Sequence, residues 1–327
     1  MPKSQVYVTR VIPDAGLEII QATSDAEIWE GETPPPYEVL LEKVAGLDGL
    51  VCLLTDQIDG ALMDAAGGSL GVISQMAVGF DNIDIAAATE RGIPVGNTPG
   101  VLTETTADFA FALLMAAARR IVEGERYVKD GKWVTWEPTL LMGQDIHDAT
   151  LGLVGLGRIG QEMARRARGF GMRVIYSDPT AERAEAKQLD AEPRELDDLL
   201  AESDFVSLHV PLTPETTHLM GMREFKLMKP SAILINTARG AAVDSGALYQ
   251  ALKEGEIAYA ALDVTEPEPI SIDDPLLTLD NCLIVPHIAS SSLATRSRMA
   301  TMAAENLKAG LMGAELPHCV NPEVYRN

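Results

Sequence analysis

ATLGLVGLGRIGQEMARRARGFGMRVIYSD, residues 149–178, decides how this chain folds. A short apolar run leads into a glycine-rich turn, an amphipathic stretch follows, and a second apolar run closes the unit. That order reads as strand, turn, helix, strand. Gly155, Gly157 and Gly160 spell G-x-G-x-x-G at the start of the helix. The spacing alone is weak, because glycine turns between strand and helix are common, but the demand on each position is specific. The first glycine makes the tight turn, the second admits a pyrophosphate close to backbone, and the third lets helix pack on strand. Unpaired amides at the helix start, aided by its dipole, then hold phosphate. Asp178 ends the second strand, eighteen residues past Gly160. An acid there accepts hydrogen bonds from the hydroxyls of an adenosine ribose.

Downstream, the apolar runs DFVSLHV, AILINTA, YAALDV and CLIVPH alternate with helical stretches and extend the same parallel sheet. His209, Val210 and Pro211 follow the first of these runs and are expected on the adenine side. Thr237 and Ala238 would pass under the nicotinamide ribose. Asp263 would meet the carboxamide, with a turn or helix-capping aspartate as the competing role. Asp178 repels a 2′-phosphate, so NAD(H) is expected over NADP(H). The alternative is a dual-specificity site in which Arg183 reaches back.

Three of these strands end on chemistry. Arg239 follows AILINTA, Glu268 follows YAALDVTEP, and His287 closes CLIVPH. Ligands of open parallel sheets collect beyond the carboxyl ends of the strands, so three consecutive ends deliver a guanidinium, a carboxylate and an imidazole to one place. An arginine can fork onto a carboxylate and polarise the neighbouring carbonyl. A histidine can exchange the proton that accompanies hydride transfer, and a nearby glutamate favours its imidazolium form. Taken singly each has a bland role: a hydrogen-bonded core histidine, a loop-capping arginine, a solvated glutamate in a proline-flanked turn. The combination with the upstream dinucleotide site favours reduction of a 2-keto acid.

The first hundred residues alternate strand and helix without a glycine-rich phosphate loop. QVYVTRVI, GLVCLLT and LGVISQM read as strands, and DAGLEIIQA, EVLLEKVAG and GALMDAAG as helices. The rhythm is flavodoxin-like. Residues 103–121 read as one long apolar helix, expected to be buried between domains or subunits. Residues 120–148 carry two tryptophans and little periodicity, as a helix followed by an extended arm. A dimer contact is the favoured role of the arm, and a lid the alternative. SSLATRSRMATMAAENLKAGL is an amphipathic helix expected to return to the first unit. The expected architecture is therefore α/β. A Rossmann-type parallel-sheet cofactor domain, 101–290, is inserted into a split flavodoxin-like substrate domain, 1–100 and 291–327.

Composition bounds the rest. At 327 residues the chain has room for two domains. A formal charge of −22 disfavours nonspecific binding to nucleic acid or anionic membrane. Cys52, Cys282 and Cys319 form no CxxC pair, and Cys52 and Cys282 lie in strand-like runs, as buried thiols of a reducing cytoplasm do. No secretory leader or membrane-length apolar span is visible, and the five histidines show no metal-binding spacing. The expectation is a cytoplasmic protein without metal, nucleic-acid or membrane partners.

VGLGRIG, HVPLTPETTHL, LINTARGAAVD, ALDVTEPEP and VPHIAS occur in order, and together they resemble the D-2-hydroxyacid dehydrogenase family over nearly the whole chain. The resemblance implies a homodimer built through the cofactor domain, Arg239 orienting the substrate, and Glu268 paired with an acid/base His287. Thr106, Arg158, Ile159 and Ser290 join the expected cofactor contacts. CLLTDQID, VISQMAVGFDNID, GIPVGNTPGVLTETTADFAFALLM and GKWVTWEP are similar to the glyoxylate/hydroxypyruvate reductase branch. That likeness implies substrate contacts at Leu54, at the amides of Val78 and Gly79, and at Trp136, which closes the site across a dimer. Glu268 departs from the glutamine of formate dehydrogenases, Val78 from the lysine of phosphite dehydrogenases. Residues 74–84 lack the cations a phosphoglycerate dehydrogenase needs. Many members of the chosen branch favour NADPH and lack the acid at 178, so NADP(H) stays open. Two alternatives share the motifs. One is a dehydrogenase for another 2-hydroxy acid, D-lactate-like or larger. The other is an NAD(H)-sensing corepressor-like binding protein, disfavoured by the near-absence of tails.

Overall fold

The computed structural model describes residues 3–179 and 185–326, and Arg183 lies outside them. Two compact units emerge, one formed by Met1–Leu102 with Ser291–Asn327, the other by Thr103–Ser290.

In the first unit five strands pair in parallel: β1 (Ser4–Val8), β2 (Ser24–Ile28), β3 (Gly49–Cys52), β4 (Val72–Gln75) and β5 (Val95–Gly96). Their order, β2-β1-β3-β4-β5, is the flavodoxin-like one. Helices α1 (Asp14–Thr23), α2 (Tyr37–Lys43), α3 (Gly60–Ala65) and α4 (Ile85–Glu90) connect them. β3 and β4 are buried throughout, as sheets covered on both faces require. β2 was hidden in the sequence, because SDAEI alternates polar and apolar residues and carries two acids. Charged, half-exposed residues suit an edge strand, which must avoid pairing with other chains. The unit is closed by the C-terminal α12 (Leu293–Leu311), which packs on α1, β3 and β4. That contact is close: a Cβ on Gly16 would stand 2.7 Å from the Ala300 carbonyl oxygen. The buried Ser74 hydroxyl donates to Ala303 O at 2.7 Å.

The second unit holds seven parallel strands: β6 (Thr150–Val154), β7 (Arg173–Ser177), β8 (Ala191–Pro193), β9 (Phe205–Leu208), β10 (Ile233–Asn236), β11 (Tyr259–Leu262) and β12 (Cys282–Ile284). The order β12-β11-β10-β9-β6-β7-β8 reverses between β6 and β9, the switch point of a Rossmann fold. Its helices are α5 (Thr103–Ala118), α6 (Ile121–Lys129), α7 (Arg158–Arg168), α8 (Ala186–Leu189), α9 (Leu196–Glu202), α10 (Met222–Leu227) and α11 (Ser245–Glu254).

Two features bear on the expectation of one long apolar helix over 103–121, buried between domains or subunits: it is not continuous, and it packs within its own unit. The helix breaks at Arg120, whose backbone is left-handed with φ 51°, and α6 starts anew. The buried residues of α5 include Ala110, Leu113, Leu114 and Ala117, and its packing partners are α7, β10 and β11 of its own unit. Its all-round apolar character is the signature of a helix inside a core. Residues 130–149 contain no helix and no strand until β6 begins at Thr150. Trp133, Val134 and Trp136 on this arm are exposed.

Candidate active site

The crevice at the switch point is shaped by glycines that differ in what they touch. Gly155 has φ 95°, and a Cβ there would stand 2.7 Å from His209 O, so the turn presses against the end of β9. A Cβ on Gly160 would come within 2.3 Å of Gly155 O. Gly157 is different, because its Cβ would meet nothing within 4 Å. No contact with this chain requires a glycine at 157, whereas a ligand lying on the backbone would. α7 begins just beyond, at Arg158 and Ile159, with no side-chain cap on its first amides. Asp178 Oδ2 accepts from Leu156 N at 2.9 Å, which ties the strand-end acid to the glycine turn. Beyond β9 stand His209, Val210 and Pro211. His209 Nε2 lies 2.9 Å from Ser207 Oγ, and burial pushes its pKa down to about 4, leaving the ring neutral near pH 7.

The end of β10 carries Thr237, Ala238 and Arg239. The Thr237 hydroxyl is buried without a hydrogen-bond partner, an orphan that invites a polar group from a ligand. The turn is set by Asn236, a residue that sequence reasoning missed. Its side chain accepts from Ala238 N at 3.0 Å and donates to Arg239 O at 2.8 Å. The only signal was a polar residue closing an apolar strand. Just past Arg239, a Cβ on Gly240 would sit 1.9 Å from Thr265 O, so the arginine turn lies on the turn that leads to Glu268.

His287 Nδ1 is 2.5 Å from Glu268 Oε1, with side chains 27% and 33% exposed, open enough to meet a small ligand. His287 has a left-handed backbone, φ 51°. That conformation is unfavourable for a side chain with a Cβ and must be held from outside. Asp263 does the holding. Its carbonyl oxygen accepts from His287 N at 2.9 Å. Its buried carboxylate accepts from Ile288 N at 2.7 Å and Ala289 N at 2.9 Å. Burial raises the Asp263 pKa, and these two amides oppose the rise. Its turn-forming role is thus on display, and any contact with a carboxamide would be additional. Ser290 is the last residue of this unit, and Thr106 is buried in the first turn of α5.

The remaining candidates stand elsewhere. Leu54 follows β3, and Val78 and Gly79 follow β4, at the carboxyl edge of the first sheet. The carbonyls of this loop are occupied: Ala77 O accepts from Thr98 N, Val78 O from Asn97 Nδ2, and Gly79 O from Gln75 Nε2. The amides of Val78 and Gly79 meet no acceptor among the described residues. Adjacent free amides form a concavity suited to an anion. Trp136 is 78% exposed on the arm.

A parallel sheet reversing at a glycine turn, with an imidazole–carboxylate pair at its strand ends, belongs to nicotinamide-dependent dehydrogenases as a class, and this chain is one of them. Residues 111–289 match the model of the NAD-binding domain of D-isomer-specific 2-hydroxyacid dehydrogenases. A glyoxylate reductase of Korarchaeum cryptofilum is 56% identical, over 99% of this chain and 98% of its own. Among solved structures, a Thermus thermophilus protein superposes with a TM-score of 0.91 at 48% identity, covering 97% of this chain and 99% of that one. An NADPH-dependent glyoxylate/hydroxypyruvate reductase of Sinorhizobium meliloti, solved with NADP and malonate, gives 0.87 at 32%, covering 97% of each chain. The chain belongs to the D-isomer-specific 2-hydroxyacid dehydrogenase family.

Proposed function

We propose that the protein reduces glyoxylate and hydroxypyruvate to glycolate and D-glycerate with NADH. The observation that carries the reading is the 2.5 Å contact between His287 Nδ1 and Glu268. With Nδ1 committed to the carboxylate, Nε2 is the nitrogen left to face a substrate oxygen. Nicotinamide, when bound, supplies a hydride to the keto carbon. His287 Nε2 delivers the proton to the keto oxygen, and Glu268 holds the ring in place through Nδ1. Arg239 and the amides of Val78 and Gly79 take the carboxylate, with Leu54 beside the small substrate. On this reading the first unit is the substrate domain and the second the cofactor domain.

The dinucleotide fits the residues present. Gly157 leaves room above the turn, the first amides of α7 are uncapped, and the Thr237 hydroxyl lacks a partner. Gly155, Gly160, Arg158 and Ile159 would frame the pyrophosphate. His209 to Pro211 would line the adenine, and Thr106, Ala238, Asp263 and Ser290 the nicotinamide end. Asp178 favours NADH by repelling a 2′-phosphate; the NADPH-dependent relative keeps NADP(H) as the alternative. The exposed apolar arm, Trp133 to Met142, is assigned to a homodimer in which Trp136 closes the partner's site. A cytoplasmic location accords with this chemistry, and no helix among the described residues is long and apolar enough to cross a membrane.

Initial rates of NADH and NADPH oxidation with glyoxylate, hydroxypyruvate, pyruvate and phenylpyruvate test the proposal. Turnover of the first two with NADH is expected. Preference for a larger acid would overturn the substrate, preference for NADPH the role of Asp178. Tight NADH binding without any turnover would overturn the reaction itself.

A further inference from the structure

The amides of Val78 and Gly79 are useful only while the peptide planes that carry them are held, and the first unit contains an apparatus that holds them. Gln75, fully buried at the end of β4, donates from Nε2 to Gly79 O at 3.2 Å and to Asn82 Oδ1 at 2.6 Å. Its own oxygen accepts from the buried Cys52 thiol at 3.1 Å. Asn82 then spans two loops, donating to Leu53 O at 3.1 Å and to Asp56 O at 2.7 Å on the turn that bears Leu54. That turn is pinned a second time. The buried Asp56 carboxylate accepts from Leu53 N at 2.7 Å and from the Thr9 hydroxyl at 2.5 Å. From the other side, Asn97 Nδ2 donates to Val78 O at 2.8 Å. Asn97 is itself located by Asn306 of α12, which donates to Asn97 O at 2.9 Å.

Every one of these bonds lands on a carbonyl or a supporting side chain, and none takes an amide of Val78 or Gly79. Filling a peptide's carbonyl with a donor fixes its plane and polarises the N–H on its opposite edge. Asn97 does this for the Gly79 amide through Val78 O, and Thr98 N for the Val78 amide through Ala77 O. Gln75 anchors the following peptide through Gly79 O. A lysine or arginine could brace the 77–79 loop equally well but would add a competing cation, and the one acid of the network, Asp56, braces the Leu54 turn instead. Carboxamides brace without net charge. We propose that Gln75, Asn82 and Asn97 are positioning residues that hold the 77–79 loop and the Leu54 turn in one fixed geometry, so that two backbone amides bind the carboxylate of a 2-keto acid. The proposal deepens the function assigned above and rests on that reading for the identity of the acid. It assigns binding strength, and not hydride chemistry, to these three side chains.

Asn97→Ala and Asn82→Ala test it against Asn281→Ala. Asn281 is a carboxamide of the second unit that bridges Leu252 O and Ala258 O, away from the loop in question. Each loop variant should raise KM for glyoxylate roughly 3- to 10-fold per hydrogen bond lost, with kcat and the Kd for NADH nearly unchanged. The control should lower Tm without moving KM. Oxalate, an unreactive dicarboxylate, titrated calorimetrically into the NADH complex, reads the same site without turnover and should weaken by the same factor. Unchanged KM and oxalate affinity in variants of normal Tm would overturn the proposal. So would a loss confined to kcat, or an equal KM shift in Asn281→Ala. If the parent protein turns over no glyoxylate, the substrate assignment fails on its own. The oxalate titration then decides the present one: weakening in the loop variants supports it, while equal binding, or none to the parent, overturns it.

Discussion

Both sheets of this protein present their chemistry at the carboxyl ends of parallel strands, but the two units present different material. The second unit offers side chains: Asp178 after β7, Arg239 after β10, Glu268 after β11 and His287 after β12. The first offers backbone, two amides after β4 whose peptide carbonyls, Ala77 O and Val78 O, are held by Thr98 N and the Asn97 carboxamide, with Gln75 anchoring the next peptide at Gly79 O. The support differs accordingly. Asp263 and Asn236 lock the turns that aim side chains, using one polar residue each. The first unit spends a chain of residues, from Thr9 to Asn306, on keeping two peptide planes still. Side-chain chemistry needs only an aimed Cα; amide chemistry needs the whole peptide oriented.

The comparison breaks first, and most visibly, at His287. If side chains of the second unit perform the proton transfer, His287→Ala should cut kcat by about 10²–10⁴-fold. Tm and the Kd for NADH should hold, since a partly exposed imidazole contributes little packing. A kcat near that of the parent, in a folded variant, would end the claim that this unit supplies the acid.

Two glycines of one motif sharpen the contrast from within. Gly157→Ala has φ −70°, which alanine tolerates, and open space around it. It should leave Tm unchanged and weaken NADH about tenfold or more, because the methyl group would occupy only the space that the pyrophosphate needs. Gly160→Ala must displace Gly155 O from 2.3 Å. It should cost about 1–3 kcal/mol of stability, as other overpacked sites do. Fluorescence titration with NADH and a thermal melt separate the two. Equal losses of affinity and Tm in both variants would mean that Gly157 serves the fold after all.

The same contrast explains what the sequence disclosed. The glycine turn and the three charged strand ends were legible, because motif spacing and residue type carry their chemistry. The amides of Val78 and Gly79 have no residue-type signature, and only a family resemblance pointed to them. Asn82, Asn97 and Asn236 gave no warning either, since an asparagine near a loop usually serves a turn. SDAEI hid its strand because an edge strand need not be apolar. The 103–121 helix was legible as buried but not as to where, since apolar girth says nothing about which neighbour covers it. The break at Arg120 depends on a single left-handed residue, where arginine is an uncommon choice.

The smallest expected effect concerns acid. His209 belongs to the second unit's crevice, and its pKa falls from 6.5 to about 4 because burial disfavours the imidazolium. The unfolded chain therefore takes up a proton near pH 6.5 that the folded protein refuses until about pH 4. Between those values the unfolded state binds more protons, so stability must drop as pH falls, and must level off below about 4 for this group. His209→Gln removes the titration while keeping a polar partner for Ser207. Its Tm should decline less steeply than the parent's from pH 6.5 to 4.5, by on the order of a few degrees across that window. The first unit's carboxylates titrate identically in both proteins and cancel in the difference. Parallel Tm curves would show that the ring is solvated enough to charge in place, and the neutral imidazole would then no longer distinguish this crevice.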